Sequence, residues 1–234
     1  MEALSFLLVV AFLLLFGIII FVTIRQSQKE LKEKQAFAQS LGFAPHPVDE
    51  KLTLKISRLY QRPGAKTQFQ LRNVFHKPLL DGDMYLFDLV NTSGEDDSWT
   101  ERQAVAICSS TLNLPAFMLY PKADPKYALS GLANKVLEWG FSFVGKPVAF
   151  PEYPALNARY LLSSNEPDLL RPFFDARLAE YFAQTQMYML HAQGEIFTFS
   201  EMDPQFNTLD QGSMHRRIQR ALELFRQLQK STFS

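Results

Sequence analysis

The sequence predicts an α+β protein with an N-terminal transmembrane helix followed by an antiparallel-sheet domain with packed helices. Three observations carry this fold class. Leu4 to Ile24 contain no charged residue, strand-like segments separated by turn residues begin near residue 68, and an amphipathic helix ends the chain. The domains expected are a transmembrane anchor (1–24), a juxtamembrane helix (25–41) and a soluble α+β domain (42–234).

The composition excludes several classes of protein. The chain has 234 residues, with 24 Lys and Arg against 24 Asp and Glu, so its formal net charge is zero. Neutrality removes the overall attraction that a basic domain has for nucleic acid, and we expect no nucleic-acid partner. One cysteine excludes an internal disulfide framework. An apolar content of 47% is too high for a disordered chain.

The first element is the span from Leu4 to Ile24, which we expect to cross the lipid bilayer. As a helix it reaches about 31 Å, close to the thickness of a hydrocarbon core. A cleaved signal peptide has a basic start, a shorter apolar run and a small-residue cleavage site. Here the chain starts Met1-Glu2-Ala3 and the span ends without such a site. The sequence therefore predicts a retained single-pass signal-anchor.

Basic residues flank only the C-terminal side of this span. They are Arg25, Lys29, Lys32 and Lys34. The positive-inside rule then places the N-terminus outside and residues 25–234 in the cytoplasm, with the chain in the plasma membrane. The same four side chains are positioned for contact with anionic lipid headgroups.

The juxtamembrane segment 25–41 is rich in helix formers and lacks Pro and Gly. Gly42 suits the left-handed position that ends a helix, with Phe43 packing back on Phe37 or Ala38. Residues 42–66 form a connection broken by prolines, with a short helix near Leu52–Tyr60.

Four strand segments follow, joined by short connections that predict an antiparallel meander. Asp81-Gly82 marks the first tight turn. The first segment alternates Leu71, Asn73 and Phe75 against Arg72, Val74 and His76. The segments are Gln68–Lys77, Met84–Val90, Arg102–Ser109 and Pro115–Leu119.

The C-terminal half mixes helices and strands. We expect a helix at Lys126–Glu138, irregular chain at 145–157, a strand at Ala158–Leu162 and a helix at Pro167–Ala183 that Pro172 delays or kinks. A hairpin turns at Gly194-Glu195 between Tyr188–Gln193 and Ile196–Ser200. A helix from Met214 then buries a stripe formed by Ile218, Ala221, Leu222, Phe225 and Leu228.

No catalytic, cofactor-binding or metal-binding motif is present, so no residue is assigned to such a site. The four histidines, His46, His76, His191 and His215, lack the spacing of paired ligands. Cys108 follows apolar strand residues and reads as a buried thiol. Two features remain open. Arg177 falls on the apolar arc of its helix, where we expect its long stem to reach the surface or its cation to form a buried ion pair; an anionic ligand is the alternative. Residues 81–101 hold seven acids without a base.

Residues 114–121, Leu-Pro-Ala-Phe-Met-Leu-Tyr-Pro, resemble a segment of bacterial single-pass inner-membrane proteins of unassigned function. The order of later features is also similar: Phe141 to Pro154, Arg159 to Leu162, and the helix start at Glu166–Phe174. The likeness covers about residues 114–182. It implies an inner-membrane location, and it carries no functional residue.

The leading hypothesis is a membrane-anchored cytoplasmic domain that binds or scaffolds a protein partner, with no enzymatic activity indicated. The first alternative is a domain that binds lipid or a small apolar ligand, since 21 phenylalanines are present. The second alternative is an enzyme of unrecognised type that uses Cys108 or a histidine.

Overall fold

The computed structural model describes residues 21–61 apart from 24, 27 and 30, and then 68–91, 100–122, 145–185, 188–201 and 211–232. These residues divide into two compact units, before and after the Ala44–Pro45 bond. Most of the predicted membrane span lies outside the described residues. Among those described, no helix combines the length and apolar character needed to cross a membrane.

The described residues of the first unit are helical up to its last few positions. Residues 31–40 form helix α1, and the described positions between 21 and 29 are helical as well. Gly42 has φ 80°, its N–H donates to Gln39 O at 2.9 Å, and Phe43 N–H donates to Ala38 O at 2.9 Å. These two bonds make the expected glycine-terminated helix end. Phe43 and Ala38 are both buried.

Nine strands form one sheet in the order β1-β2-β3-β4-β9-β8-β5-β7-β6, and every pairing from β2 to β6 is antiparallel. The protein is therefore α+β, as predicted. The strands are β1 (Ala44–Pro45), β2 (Phe69–Leu79), β3 (Gly82–Asn91), β4 (Thr100–Cys108), β5 (Leu114–Pro121), β6 (Lys146–Val148), β7 (Tyr160–Ser164), β8 (Tyr188–Gly194) and β9 (Ile196–Glu201).

The predicted meander is confirmed for β2, β3 and β4 and is wrong for β5. The hairpin of β8 and β9 turns at Gly194, as expected, and lies between β4 and β5 in the sheet. The connection from β4 to β5 crosses the tip of this hairpin, where Ser109 N–H donates to Glu195 O at 2.8 Å. Strands β4 and β5 are consecutive in sequence but separated in the sheet, because the hairpin of β8 and β9 pairs with both of them.

Five more helices are described: α2 (Glu50–Tyr60), α3 (Pro154–Arg159), α4 (Pro167–Phe173), α5 (Ala176–Gln184) and α6 (Gln211–Thr232). The short helix expected near Leu52–Tyr60 is confirmed as α2. The helix expected at Lys126–Glu138 lies outside the described residues.

The single helix expected at Pro167–Ala183 is wrong, because α4 and α5 are separate. Asp175 starts α5 by accepting a hydrogen bond from Leu178 N–H at 2.7 Å, and an N-cap of this kind favours a new helix over a kinked one.

The segment 145–157 is not irregular throughout, since β6 and the start of α3 lie in it. Two of its prolines occupy positions where the backbone needs no N–H donor. Pro147 lies in the terminal strand of the sheet, and Pro154 is the first residue of α3. The strand predicted from Ala158 begins at Tyr160, because Ala158 and Arg159 complete α3.

Both faces of the sheet are covered by helices. Helix α2 packs on β2, β8 and β9, whereas α6 packs on β4, β9 and α5. Four consecutive residues of β4, Ala104 to Ile107, are fully buried, so both faces of this strand are covered, one by α2 and the other by α6. The α2 face contains Leu52, Ile56, Leu59, Tyr60, Leu71, Val74, Phe87, Leu89, Ala104, Ala106 and Ile196.

The opposite face carries an aromatic cluster under α4 and α5. Phe174 contacts Phe117, Phe150 and Phe182, with ring centroids 5.2–5.8 Å apart. All four rings are buried, and they pack against one another as core.

The predicted alternation of β2 is wrong at one residue. Asn73 has φ 50°, and the register shifts between Arg72 and Phe75. This bulge sends Leu71 and Val74 to the same α2 face. The Asn73 amide donates to Asp88 Oδ2 at 2.7 Å, which supplies a partner for a buried carboxylate.

The buried stripe of α6 is shifted from its predicted residues. Ile218, Ala221, Phe225 and Leu228 are buried as expected, but Leu224 is fully buried and Leu222 only half-buried. Arg217, which is not part of the predicted stripe, is also buried, at 6% exposed. A helix packed on both a sheet and α5 buries a wider arc than a single stripe.

Candidate functional site

A small cleft opens at the C-terminal end of α2, on the α2 face of the sheet. Its floor is formed by β5 where that strand lies between β7 and β8, and its volume is about 80 Å³. This volume holds several water molecules or one small polar group. The residues that line it are Arg58, Leu59, Gln61, Ala116, Phe117, Met118, Ser163, Ser164, Asn165, Ala192 and Gln193.

Two local features of the backbone create the cleft. Helix α2 ends at Tyr60, and Gln61 is extended with ψ 123°, so the helix stops before it covers β5 and β7. Strand β5 is bulged, because three steps from Leu114 to Phe117 oppose only two steps on β8. The Ser164 hydroxyl donates to Ala116 O in this bulge at 2.6 Å. Bulges of this kind often re-aim side chains beside binding sites.

Polar side chains surround the opening. Arg58, Gln61, Asn165 and Gln193 are exposed, and none makes a side-chain hydrogen bond or ion pair within the described part of the chain. The described lining includes one cation and no carboxylate. Such a rim offers one guanidinium and three amides to a bound acidic or peptide-like group.

Ser163 lies in the wall of the cleft and is 2% exposed. Its hydroxyl has no hydrogen-bond partner within the described residues. A Cβ on Gly145 would lie 2.6 Å from this oxygen, so the glycine packs closely over it. A buried hydroxyl without a partner is costly, and such groups often mark a site that another group completes.

A buried histidine lies beside the cleft. His191 is 2% exposed, and its ring stacks on Tyr60 with centroids 4.2 Å apart. The Nδ1 atom lies 3.0 Å from Leu59 O, and Nε2 lies 3.0 Å from the Tyr120 hydroxyl. Because a carbonyl oxygen can only accept, Nδ1 carries the proton and Nε2 accepts from Tyr120. Burial lowers the pKa of His191 to about 4, so the ring is neutral at pH 7.

The hydrogen bonds of His191 identify its role. Both ring nitrogens are used inside the fold, and the bond to Leu59 O satisfies a carbonyl in the last turn of α2. The ring therefore fastens the end of α2 to β8 and β5. A general base needs a free lone pair within reach of substrate, and this ring has neither a free nitrogen nor contact with solvent.

Cys108 is also unsuited to nucleophilic chemistry. Burial, with Asp83 and Glu195 nearby, raises the pKa of its thiol to about 12, although Lys55 opposes the shift. At neutral pH the residue is a thiol, whereas the nucleophile is the thiolate. Neither His76 nor His191 is hydrogen-bonded to Cys108, since their ring contacts go to other residues.

Arg177 does not face the cleft. Its guanidinium donates to Gln227 Oε1 at 2.5 Å, Gln227 O at 3.1 Å and Ser231 Oγ at 2.6 Å. The cation thus binds the last turns of α6, where the helix dipole is negative. Arg159 does the same for α5 through Ala183 O and Thr185 O. The anionic group beside Arg177 belongs to its own chain, because Asp175 Oδ2 lies 3.6 Å from Arg177 Nη2.

The acidic segment 81–101 is not one loop, because β3 takes up Gly82–Asn91 and β4 starts at Thr100. Two of its acids have partners inside the fold. Asp83 bonds His76, and Asp88 accepts from Asn73. Residues 95–97 lie outside the described residues. Within the described part of the chain, no three or more His, Cys, Asp or Glu side chains are placed to hold a metal ion.

Comparison with known proteins gives no relative. No protein family, no curated protein and no solved structure matches the chain. The resemblance of residues 114–182 to bacterial inner-membrane proteins stays a prediction.

The residues that line the cleft are brought together by α2, β5, β7 and β8, and none of them belongs to a recognisable sequence motif. The one local signal was Pro115 in a strand segment, which favours a bulge.

Proposed function

We propose that this chain is a single-pass membrane protein whose cytoplasmic domain binds a partner protein through the polar cleft at the end of α2. The observation that carries the proposal is the rim of exposed polar side chains, which have no partners among the described residues, around a bulged strand. The anchor and orientation come from the uncharged span Leu4 to Ile24 and its basic flank. This role requires no transport of a ligand, or of the large domain, across the membrane.

The chemistry of the rim indicates what the partner presents. Arg58 is the single cation and no acid lines the described cleft, so an Asp or Glu side chain fits beside it. The amides of Gln61, Asn165 and Gln193 both donate and accept, which suits an exposed peptide backbone. We therefore favour an acidic segment of a partner protein over an apolar ligand, since the Phe rings under α4 and α5 pack against one another.

Site-specific photocrosslinking in intact cells tests the binding site. A photoreactive amino acid at Gln193, on the rim, is compared with one at Leu80, which is 99% exposed in the β2–β3 turn. We expect a discrete adduct from Gln193 that is absent from Leu80 and that Arg58→Glu diminishes. The matched charge reversal Arg226→Glu, on the exposed side of α6, should leave the adduct unchanged. Identical patterns from Gln193 and Leu80 would reject the cleft as the binding site.

Orientation is tested separately with cysteine labelling. In a Cys108→Ala background, Leu80→Cys should react with a membrane-impermeant maleimide only after lysis. Ala3→Cys, on the other side of the anchor, should react in intact cells. Labelling of Leu80→Cys in intact cells would place the sheet domain outside and contradict the cytoplasmic assignment.

A further inference from the structure

Two histidines far apart in sequence meet at the β2 side of the sheet, away from the cleft. His46 follows β1, His76 lies in β2, and their ring centroids are 5.4 Å apart with an interplanar angle of 65°. Both rings also contact Tyr85 on β3, at 5.7 and 5.0 Å. The two imidazoles are half-buried, so solvent reaches them.

Hydrogen bonds fix which nitrogen of each ring is free. The His46 Nδ1 atom lies 2.6 Å from Pro47 O, and a carbonyl oxygen can only accept. Its lone pair is therefore on Nε2. The His76 Nε2 atom lies 2.6 Å from Asp83 Oδ1, and an ionised carboxylate also only accepts. The lone pair of His76 is therefore on Nδ1.

This arrangement is the one found around metal-binding histidines. A ligating imidazole almost always donates its second N–H to a backbone carbonyl or a carboxylate, which sets the tautomer and the ring orientation. Here one ring uses a carbonyl and the other a carboxylate. Each neutral ring is left with a single lone pair, which has no hydrogen-bond partner within the described part of the chain.

The spacing of the rings agrees with a shared ion. A zinc–nitrogen bond is about 2.0–2.1 Å, and an imidazole nitrogen is about 1.2 Å from its ring centre. Two histidines at a tetrahedral angle on one ion therefore have ring centres about 5.2 Å apart. The observed separation is 5.4 Å.

We propose that His46 and His76 form an open two-histidine site for a divalent transition-metal ion. Imidazole donors suit Zn²⁺, Cu²⁺ and Ni²⁺ and discriminate against Mg²⁺ and Ca²⁺. The described residues supply no third His, Cys, Asp or Glu ligand, so water takes the remaining positions. A bound ion ties the chain before α2 to strand β2.

The test uses full-length protein in detergent, purified without a polyhistidine tag and titrated with Zn²⁺ alone by calorimetry. We expect one ion per chain, and at least a tenfold loss of affinity in both His46→Gln and His76→Gln. His215→Gln removes an exposed histidine of α6 and should bind as the wild type does. Asp83→Asn keeps both ligands and changes only the carboxylate that orients His76, so we expect Zn²⁺ affinity to fall by about 10–100-fold.

Electron paramagnetic resonance of bound Cu²⁺ gives an independent reading of the ligands. The wild type should show coupling to two imidazole nitrogens, and either single variant should show one. Unchanged circular dichroism of the variants confirms that the fold is kept. The proposal is overturned if the wild type binds no ion, or if Zn²⁺ affinity and the Cu²⁺ spectrum are the same in His46→Gln and His76→Gln as in the wild type. Edge-to-face packing of the rings would then be their whole role.

Discussion

Protonation of His191 should dominate the acid sensitivity of the sheet domain. The ring is neutral in the folded protein, because burial lowers its pKa from 6.5 to about 4. Between these two pH values the unfolded chain binds a proton that the folded chain does not, so stability falls as the pH falls. The loss begins near pH 6.5 and is complete below about pH 4.

The magnitude follows from the two pKa values. Each pKa unit corresponds to about 1.4 kcal/mol, so a fall from 6.5 to about 4 lowers the free energy of unfolding by about 3 kcal/mol. This is a large part of the 5–15 kcal/mol or so that typical domains have.

The assay is urea unfolding of the full-length protein in a nonionic detergent, followed by circular dichroism from pH 7 to pH 4 at constant ionic strength. His191→Gln lacks the titrating ring, and His215→Gln removes an exposed one. Carboxylates titrate alike in all three proteins. We expect the wild type and His215→Gln to lose about 3 kcal/mol more than His191→Gln over this range. An equal loss in all three would refute a buried neutral imidazole.

Three further outcomes follow from the same structure. Gly82→Ala should lower the free energy of unfolding by about 1–3 kcal/mol, because the new Cβ would collide with Cys108 O. Gly194→Ala adds a Cβ in open space but at φ 58°, so it should lower the free energy of unfolding by about 1 kcal/mol in the same denaturation assay. Arg177→Lys loses the forked donors to the end of α6 and should speed hydrogen exchange over the last turns of α6, and an unchanged rate there would contradict its capping role. Cys108 should react with maleimide at pH 7.5 about 10³-fold more slowly than an exposed Leu80→Cys thiol, because its pKa is about 12; a rate within tenfold would contradict this burial.

Periodicity predicts much of the fold, because most strands here bury at least one face. The strands β2, β3, β4, β8 and β9 each lie within a few residues of the predicted segments. Periodicity does not predict the order of the strands in the sheet. The hairpin of β8 and β9, near the end of the chain, lies between β4 and β5. The strand order therefore depends on the pairing of this hairpin with both strands.

Local deviations from the predicted pattern have specific causes. The alternation of β2 fails at Asn73 because a buried carboxylate, Asp88, needs the Asn73 amide as a donor. The long helix after Pro167 divides because Asp175 caps a second helix. In both places the hydrogen bond of a single polar side chain changes the backbone from the regular element that the apolar periodicity predicts.

The cleft and the histidine pair could not be read from the sequence, for a physical reason. His46 and His76 are 30 positions apart, and they meet because the chain before α2 returns to β2, where His46 N–H donates to Val74 O at 2.9 Å. The rim of the cleft draws Arg58, Asn165 and Gln193 from three elements in the same way. Chemistry assembled from single residues on separate elements leaves no motif.

We predict that binding of the proposed partner at the cleft is coupled to the docking of α2 through one backbone group. Arg58 and Gln61 line the cleft on either side of Leu59, whose carbonyl accepts from His191. A partner that contacts both side chains holds the last turn of α2 in the position that His191 requires. Because such a partner binds only the folded domain, it adds about 2.7 kcal/mol of stability at a concentration of 100 Kd. That gain is comparable with the loss on acidification, so a bound partner should protect the domain against unfolding at low pH.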